Sequence, residues 1–373
     1  MRITRFSAIF LDEAMTSPLL EIRALKRYFP VRSGLLHRIT GLLRAVDGVS
    51  LEVNAGEVIG IVGESGCGKT TLGKTVQGIY RPTAGEIFLE GKPLSRLPAK
   101  DLRRLGLSLQ YVHQDPLASF DPWWPMARSL DEPLRAHTDL PWSERMERVV
   151  RIVKAVGLDT EHLECFPHEL SGGQLRRLTL ARVLALNPRV LILDEPTASL
   201  DVSVQARILK LLSDLRSEFK LTYVFISHDL RIVRIMCDRV AVMYLGKVVE
   251  IGPTEAVLRD PRHPYTRALL AAIPRLSPGE PQDENLLEGE PPSPLFLPQG
   301  CRFSSRCPLF QEGLCNASEP ALSPIGPGHE AACFRSAELS TSEETVARVG
   351  GFGLEKAEKR EGSKMRIGES DAS

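Results

Sequence analysis

Near the start of the chain, Leu20, Ile22 and Ala24 alternate with Glu21 and Arg23, the period-two pattern of a strand with one buried face. Val58 to Val62 runs apolar without a break into a glycine-rich stretch, as a strand buried on both faces would. Val190 to Leu193 and Tyr223 to Ile226 repeat that signature, and Lys69 opens a helical stretch toward Gln77. Between Asp115 and Leu170 the period changes. Met146, Val149, Val150, Val153 and Val156 follow helical spacing, with Arg145, Glu147, Arg148 and Lys154 on the other faces. Strands that alternate with helices predict an α/β sheet that binds ligands at the strands' carboxyl ends.

The ends and joints of the chain read differently. Residues 1–18 hold Arg2, Arg5 and a short apolar patch, Ala8 to Leu11, that Asp12-Glu13 follows at once. The patch is shorter than a signal-peptide core. This segment is expected to be a mobile extension, with Met15 an alternative start. Residues 19–273 form the main unit, with a helical subdomain at about 115–170. Residues 274–300, rich in Pro, Gly and acidic side chains, read as a linker. A small cysteine-bearing module at 301–335 follows, and 336–373 is polar and mixed in charge, expected to be a disordered tail.

Composition narrows the class. The 373 residues fit about two units, and 43% hydrophobic with 25% charged residues is ordinary for a globular protein. Lys+Arg and Asp+Glu both number 47, so no global field draws the chain to nucleic acid or anionic lipid. No apolar run approaches the roughly 18 residues of a membrane-crossing helix.

Three stretches carry chemistry. Gly63-Glu64-Ser65-Gly66-Cys67-Gly68-Lys69-Thr70 lies between a strand and a helix, where glycines let the backbone curl its N–H groups around a phosphate. Lys69 brings a positive charge to the β- and γ-phosphates, Thr70 a hydroxyl for Mg²⁺, and Thr71 continues the helix start. Asp194-Glu195 ends an apolar strand, a place where a carboxylate can hold Mg²⁺. Between these lies Leu170-Ser171-Gly172-Gly173-Gln174, whose glycines and following helix could meet a second anion, or simply cap a helix. Cys67 sits at a helix start, where a thiol's pKa tends to fall; it is read as a small spacer, with a redox role the weaker idea.

In this order the three stretches resemble the ATPase subunit of an ABC transporter over roughly Leu19 to Arg335. The resemblance implies a P-loop α/β nucleotide-binding domain with a helical subdomain, and ATP with Mg²⁺ as its substrate. It implies that Glu195 is the catalytic base, His228 in Ile226-Ser227-His228-Asp229 the switch histidine at the γ-phosphate, and Gln114 the Q-loop glutamine that senses Mg²⁺. Ser171, Gly172, Gly173 and Gln174 would complete the ATP site of a partner subunit. Asp201, in Ala198-Ser199-Leu200-Asp201, would be the D-loop acid facing that partner. His113 stands where an aromatic residue is expected. Tyr28 is the candidate for stacking on adenine, with Phe29 as rival.

Further residues look like those of dipeptide/oligopeptide importers: Gln114-Asp115-Pro116, Met243 to Lys247, and His263-Pro264-Tyr265-Thr266-Arg267-Ala268-Leu269-Leu270. Phe29-Pro30-Val31 and the stretch to Gly48 resemble the second of the two ATPases such importers carry. Partners implied are a sister ATPase, identical or different, two permease subunits and an extracytoplasmic peptide-binding protein, at the cytoplasmic face of the membrane. Nickel importers share the architecture. A soluble, non-transport ABC ATPase is the rival from another class, but the chain has one phosphate loop, and the roughly 100 residues from Thr70 to Ser171 hold no sustained heptads.

Cys301, Cys307, Cys315 and Cys333 are spaced C-x5-C-x7-C-x17-C. With Pro308, Pro320 and His329 they fit the importers' C-terminal motif, which is associated with an iron–sulfur cluster. Four thiolates can hold [4Fe–4S] or Zn²⁺, and a reduced, metal-free loop region is the third alternative. Seven cysteines in a reducing compartment are not expected to pair as disulfides.

Overall fold

The computed structural model describes residues 17–34, 38–94, 106–198, 200–273 and 289–339. Nearly all of the expected N-terminal extension, most of the linker and nearly all of the tail lie outside these residues.

The three apolar runs form the middle of the main sheet. β3 (Val58–Val62), β7 (Val190–Asp194) and β8 (Thr222–Ile226) are buried at every residue. With β6 (Leu109–Val112) and β9 (Arg239–Tyr244) they pair in parallel, in the spatial order β9-β3-β8-β7-β6. Burial on both faces is why these strands read as continuous runs. Their side chains still alternate. Val58, Val62, Leu191, Leu193, Tyr223 and Phe225 enter one core, while Ile59, Ile61, Val190, Ile192, Val224 and Ile226 enter the other.

The second core is closed by α1 (Lys69–Val76) and a four-stranded antiparallel sheet. That sheet pairs β1 (Leu20–Ser33) with β2 (Arg38–Val53) and with β4 (Ala84–Leu89), which β5 (Lys92–Pro93) extends. The alternation predicted at its start breaks at Ala24. That residue is exposed at φ 44, and Leu25 is the one fully buried. A bulge inserts one residue there, so the side chain that enters the core is Leu25 in place of Ala24.

The first core is closed by helices. α2 (Met126–His137), α3 (Trp142–Ala155) and α4 (Gly172–Leu184) pack on one another. Val149, Ile152 and Val153 form the buried stripe of α3, close to the predicted spacing. Arg145 of α3 grips Asp131 of α2 through two hydrogen bonds of 2.6 and 3.2 Å. α5 (Val202–Phe219) and α6 (Leu230–Met236) complete this side.

The C-terminal module returns to the main sheet. β10 (Lys247–Pro253) pairs antiparallel with β9, and the hairpin β11 (Ser323–Gly326) and β12 (His329–Ala331) adds two strands beyond β10. Glu250 of β10 is fully buried. Its carboxylate accepts from the backbone N–H groups of Arg262 (2.7 Å) and His263 (3.0 Å) and faces His329 Nε2 at 2.8 Å. A buried carboxylate needs such partners, and these draw β10, β12 and the approach to the next helices together. Those helices are α7 (Thr254–Arg259) and α8 (Pro264–Ala271).

Candidate nucleotide site

The loop between β3 and α1 needs glycine at its tightest points. Gly63 has φ 149, and a Cβ there would lie 2.2 Å from the Met243 carbonyl oxygen; Gly68 has φ 109, and its Cβ would lie 2.1 Å from that of Ala45. The loop is therefore pressed between β9 and β2. Lys69 is buried inside the curl, donating from Nζ to the carbonyls of Gly63 (2.6 Å) and Glu64 (2.9 Å). Cys67 lies beneath it, and burial pushes its thiol pKa up, against the fall expected at a helix start. Burial of the thiol is in keeping with the reading of Cys67 as a small spacer.

Parallel pairing of β6, β7 and β8 brings three strand ends beside this loop. The Asp194 carboxylate accepts from Thr70 Oγ1 at 3.1 Å and from the Tyr111 hydroxyl at 2.6 Å. Burial, and then Asp194 itself, raises the Tyr111 pKa strongly, so its hydroxyl stays a donor. Glu195 sits at φ 51, and its backbone N–H donates to the Ile226 carbonyl at 3.0 Å. That turn aims its carboxylate at His228 Nδ1, 2.9 Å away. Glu195 is mostly covered, while His228 is open to solvent. Lys69, Thr70, Asp194, Glu195 and His228 are thus gathered at one end of the sheet.

The other sequence candidates stand around this group. Gln114 is exposed, and its carbonyl accepts from Arg176 Nη2 at 3.2 Å. Arg176, a buried side chain of α4, also donates to the carbonyls of Pro196 and Ala198. One guanidinium therefore joins the Gln114 loop, the start of α4 and the loop after Glu195. His113 packs its ring 4.8 Å from that of Tyr111. Ser171 caps α4: its hydroxyl accepts from the Gln174 N–H at 3.3 Å, and the Gln174 side chain accepts from the Ser171 N–H at 2.8 Å. The cap presents Gly172 and Gly173 at the surface, and among the described residues no hydrogen bond links Ser171 to Gln174 with the chain's own phosphate loop. Asp201 caps α5, accepting from the Val204 N–H at 2.9 Å.

Of the two aromatic candidates, Phe29 is held between the Arg27 guanidinium, 4.3 Å from its centroid, and the edge of Tyr80 at 5.3 Å. The Tyr28 hydroxyl donates to Asp47, and burial with that bond pushes its pKa up to about 12.

Cys301, Cys307, Cys315 and Cys333 line one cavity of about 20 Å³, together with His263 and Phe303. Burial pushes the thiols of Cys301 and Cys333 up to about 11. All seven cysteines are free thiols. The four face a common space, yet among the described residues no three metal-ligating side chains come close enough to hold an ion. The donor chemistry suits a thiolate-bound metal; the spacing does not form its coordination shell.

The residues that hold the site but carry no motif were missed: Tyr111, Arg176, Asp47, Arg302 and Arg306. A charged residue on the apolar face of α4 was the one available signal, for Arg176. The rest depend on partners far along the chain.

Comparison with known proteins places the chain in a family. The ABC transporter family matches residues 46–198, and the family described as "Oligopeptide/dipeptide transporter, C-terminal region" matches residues 249–315. The oligopeptide transport ATP-binding protein AppF of Bacillus subtilis is 44% identical over 318 residues, 84% of this chain and 96% of AppF. The dipeptide transport ATP-binding protein DppF of Escherichia coli is 43% identical over 323 residues, 87% of this chain and 96% of DppF. Among solved structures, the ATP-binding cassette MJ0796, in its dimeric post-hydrolysis state with ADP and Pi, aligns with a TM-score of 0.56 at 25% identity, covering 63% of this chain and 98% of that one. The chain belongs to the ATP-binding subunits of the ABC transporters, in the group that carries the oligopeptide/dipeptide-type C-terminal region.

Proposed function

We propose that this chain is the ATP-hydrolysing subunit of an importer for dipeptides or oligopeptides, acting from the cytoplasmic face of the membrane. The observation that carries the ATPase reading is the gathering of Lys69, Thr70, Asp194, Glu195 and His228 at one sheet end. The peptide reading rests on the named relatives. Among the described residues no helix is long and apolar enough to cross a membrane, which suits a subunit that docks on permeases.

In this reading the loop N–H groups and Lys69 hold the triphosphate, and Tyr28 stacks on adenine. Thr70 and Asp194 offer adjacent hard oxygens that fit Mg²⁺, with Gln114 as a further ligand. The ion would neutralise charge on the phosphates. Glu195 takes the proton of the attacking water as its oxygen bonds the γ-phosphorus and ADP leaves; His228 orients Glu195 and meets the γ-phosphate. Ser171 to Gln174 make no hydrogen bond to their own loop among the described residues and serve a sister ATPase's ATP, with Asp201 facing that partner. For the four cysteines three states compete, a [4Fe–4S] cluster, Zn²⁺ and free thiols, and the spacing in this structure is that of free thiols. The four line one shared cavity, and an anaerobic assay of iron, sulfide and zinc per chain decides among the three.

The test of the ATPase reading is Glu195→Gln. The variant should bind ATP normally and hydrolyse it at least 100-fold more slowly, within the usual span for a lost general base. Wild-type turnover would remove Glu195 from that role.

A further inference from the structure

Glu64 is an acidic residue inside a loop read as an anion cradle, and the structure supplies its partner from 242 positions away. Arg306, between Cys301 and Cys307, donates from Nη1 and Nη2 to the two Glu64 carboxylate oxygens at 2.8 and 3.1 Å. Its side chain is 5% exposed and that of Glu64 25%. The pair raises the Arg306 pKa, so the guanidinium is charged throughout. The backbone of Glu64 is held from the same side, its N–H donating to the Tyr265 hydroxyl at 2.8 Å. The Glu64 carbonyl in turn accepts from Lys69.

Arg302 makes a parallel connection four residues earlier. It pairs with Asp47, which also takes the Tyr28 hydroxyl, and donates from Nε to Glu319 at 2.8 Å. Asp47 is tied by its N–H to the Gly246 carbonyl (2.9 Å), and the Gly246 N–H to the carbonyl of Cys67 (2.8 Å). Two arginines of one short segment thus reach the nucleotide loop and the strand that flanks it.

We propose that Arg306 is a positioning residue for ATP. It neutralises the Glu64 carboxylate and fixes the loop's first turn, which makes the cysteine-bearing segment a working wall of the nucleotide site. This rests on the reading of that site as an ATP site. Without Arg306 a bare carboxylate would face an incoming triphosphate, and the like charges would repel. Removing the carboxylate as well should relieve that repulsion, an outcome that loss of packing alone does not give.

The test is equilibrium binding of ATP to the full chain, with a thermal melt on each variant. Arg306→Gln should weaken ATP binding about tenfold, the scale of one hydrogen bond to a charged group. It should raise the ATPase KM while kcat stays within about twofold. The loss should shrink as salt is raised. Glu64→Gln combined with Arg306→Gln should recover most of the affinity. Wild-type affinity in Arg306→Gln, or a double variant as weak as the single, overturns the proposal. Should Arg306→Gln fail to fold, Glu64→Gln alone decides it: the proposal expects ATP binding at least as tight as wild type, and weaker binding refutes it. A wild-type chain that binds no ATP would instead refute the reading of the site itself.

Discussion

His263→Asn should flatten the acid side of this protein's stability profile. His263 is the N-cap of α8, its Nδ1 accepting from the Tyr265 N–H at 3.1 Å. The Glu250 carboxylate meets it at its backbone N–H, and the Phe303 ring lies 5.8 Å from its own. Burial lowers the His263 pKa from 6.5 to about 3. Protonation would put a charge in the interior, remove the acceptor that caps the helix and set that charge at the positive end of α8. Because the folded pKa is the lower one, the unfolded chain takes the proton first. Stability is complete above about pH 6.5 and declines as pH falls toward about 3. At pH 5 the loss is about 1.5 units of pKa at 1.36 kcal/mol each, about 2 kcal/mol. Asparagine can still accept the Tyr265 N–H but does not titrate. The ring it leaves behind opens a void whose cost does not change with pH. The assay is urea unfolding of both proteins at several pH values from 7.5 to 5. The difference between the two profiles should narrow by about 2 kcal/mol over that range. Parallel profiles would refute the argument.

Two further substitutions probe the site. Tyr111→Phe removes the 2.6 Å donor to Asp194 and nothing else. A hydrogen bond to a charged group is worth roughly 1.5–3 kcal/mol, so the Mg²⁺ concentration that half-activates the ATPase should rise about tenfold or more, and an unchanged Mg²⁺ titration would exclude the role. Lys69→Ala takes away the charge at the centre of the loop and the bonds to Gly63 and Glu64. ATP binding measured by calorimetry should fall at least 100-fold, and binding within threefold of wild type would move the phosphate site elsewhere.

What could be read in the sequence was whatever local order or full burial determines. Val58 to Val62 and Val190 to Leu193 announce themselves because both faces of their strands are covered, which leaves no polar position in the run. The phosphate loop is legible because its glycines answer to steric limits within a few residues. The rest escaped for equally physical reasons. A left-handed Ala24 reverses the side-chain alternation, and hydropathy carries no mark of it. The short strand Ser323–Gly326 contains proline and glycine, His329–Ala331 is only three residues long, and neither has a periodic pattern; pairing to one another and to β10 selects them. Tyr111, Arg302 and Arg306 gain meaning from Asp194, Asp47 and Glu64, and residues far apart in sequence leave no local signal of their meeting.

The added hairpin has a consequence for the chain as a polymer. With β11 and β12 in place, β10 is an interior strand; without them it becomes an open border of unpaired N–H and C=O groups. Val248, Val249 and Ile251 would lie along that border, with the Glu250 carboxylate deprived of His329. Such a border recruits strands from other molecules. The β11–β12 hairpin therefore acts as a molecular hem, and an ATPase core cut away from it would fray into aggregates.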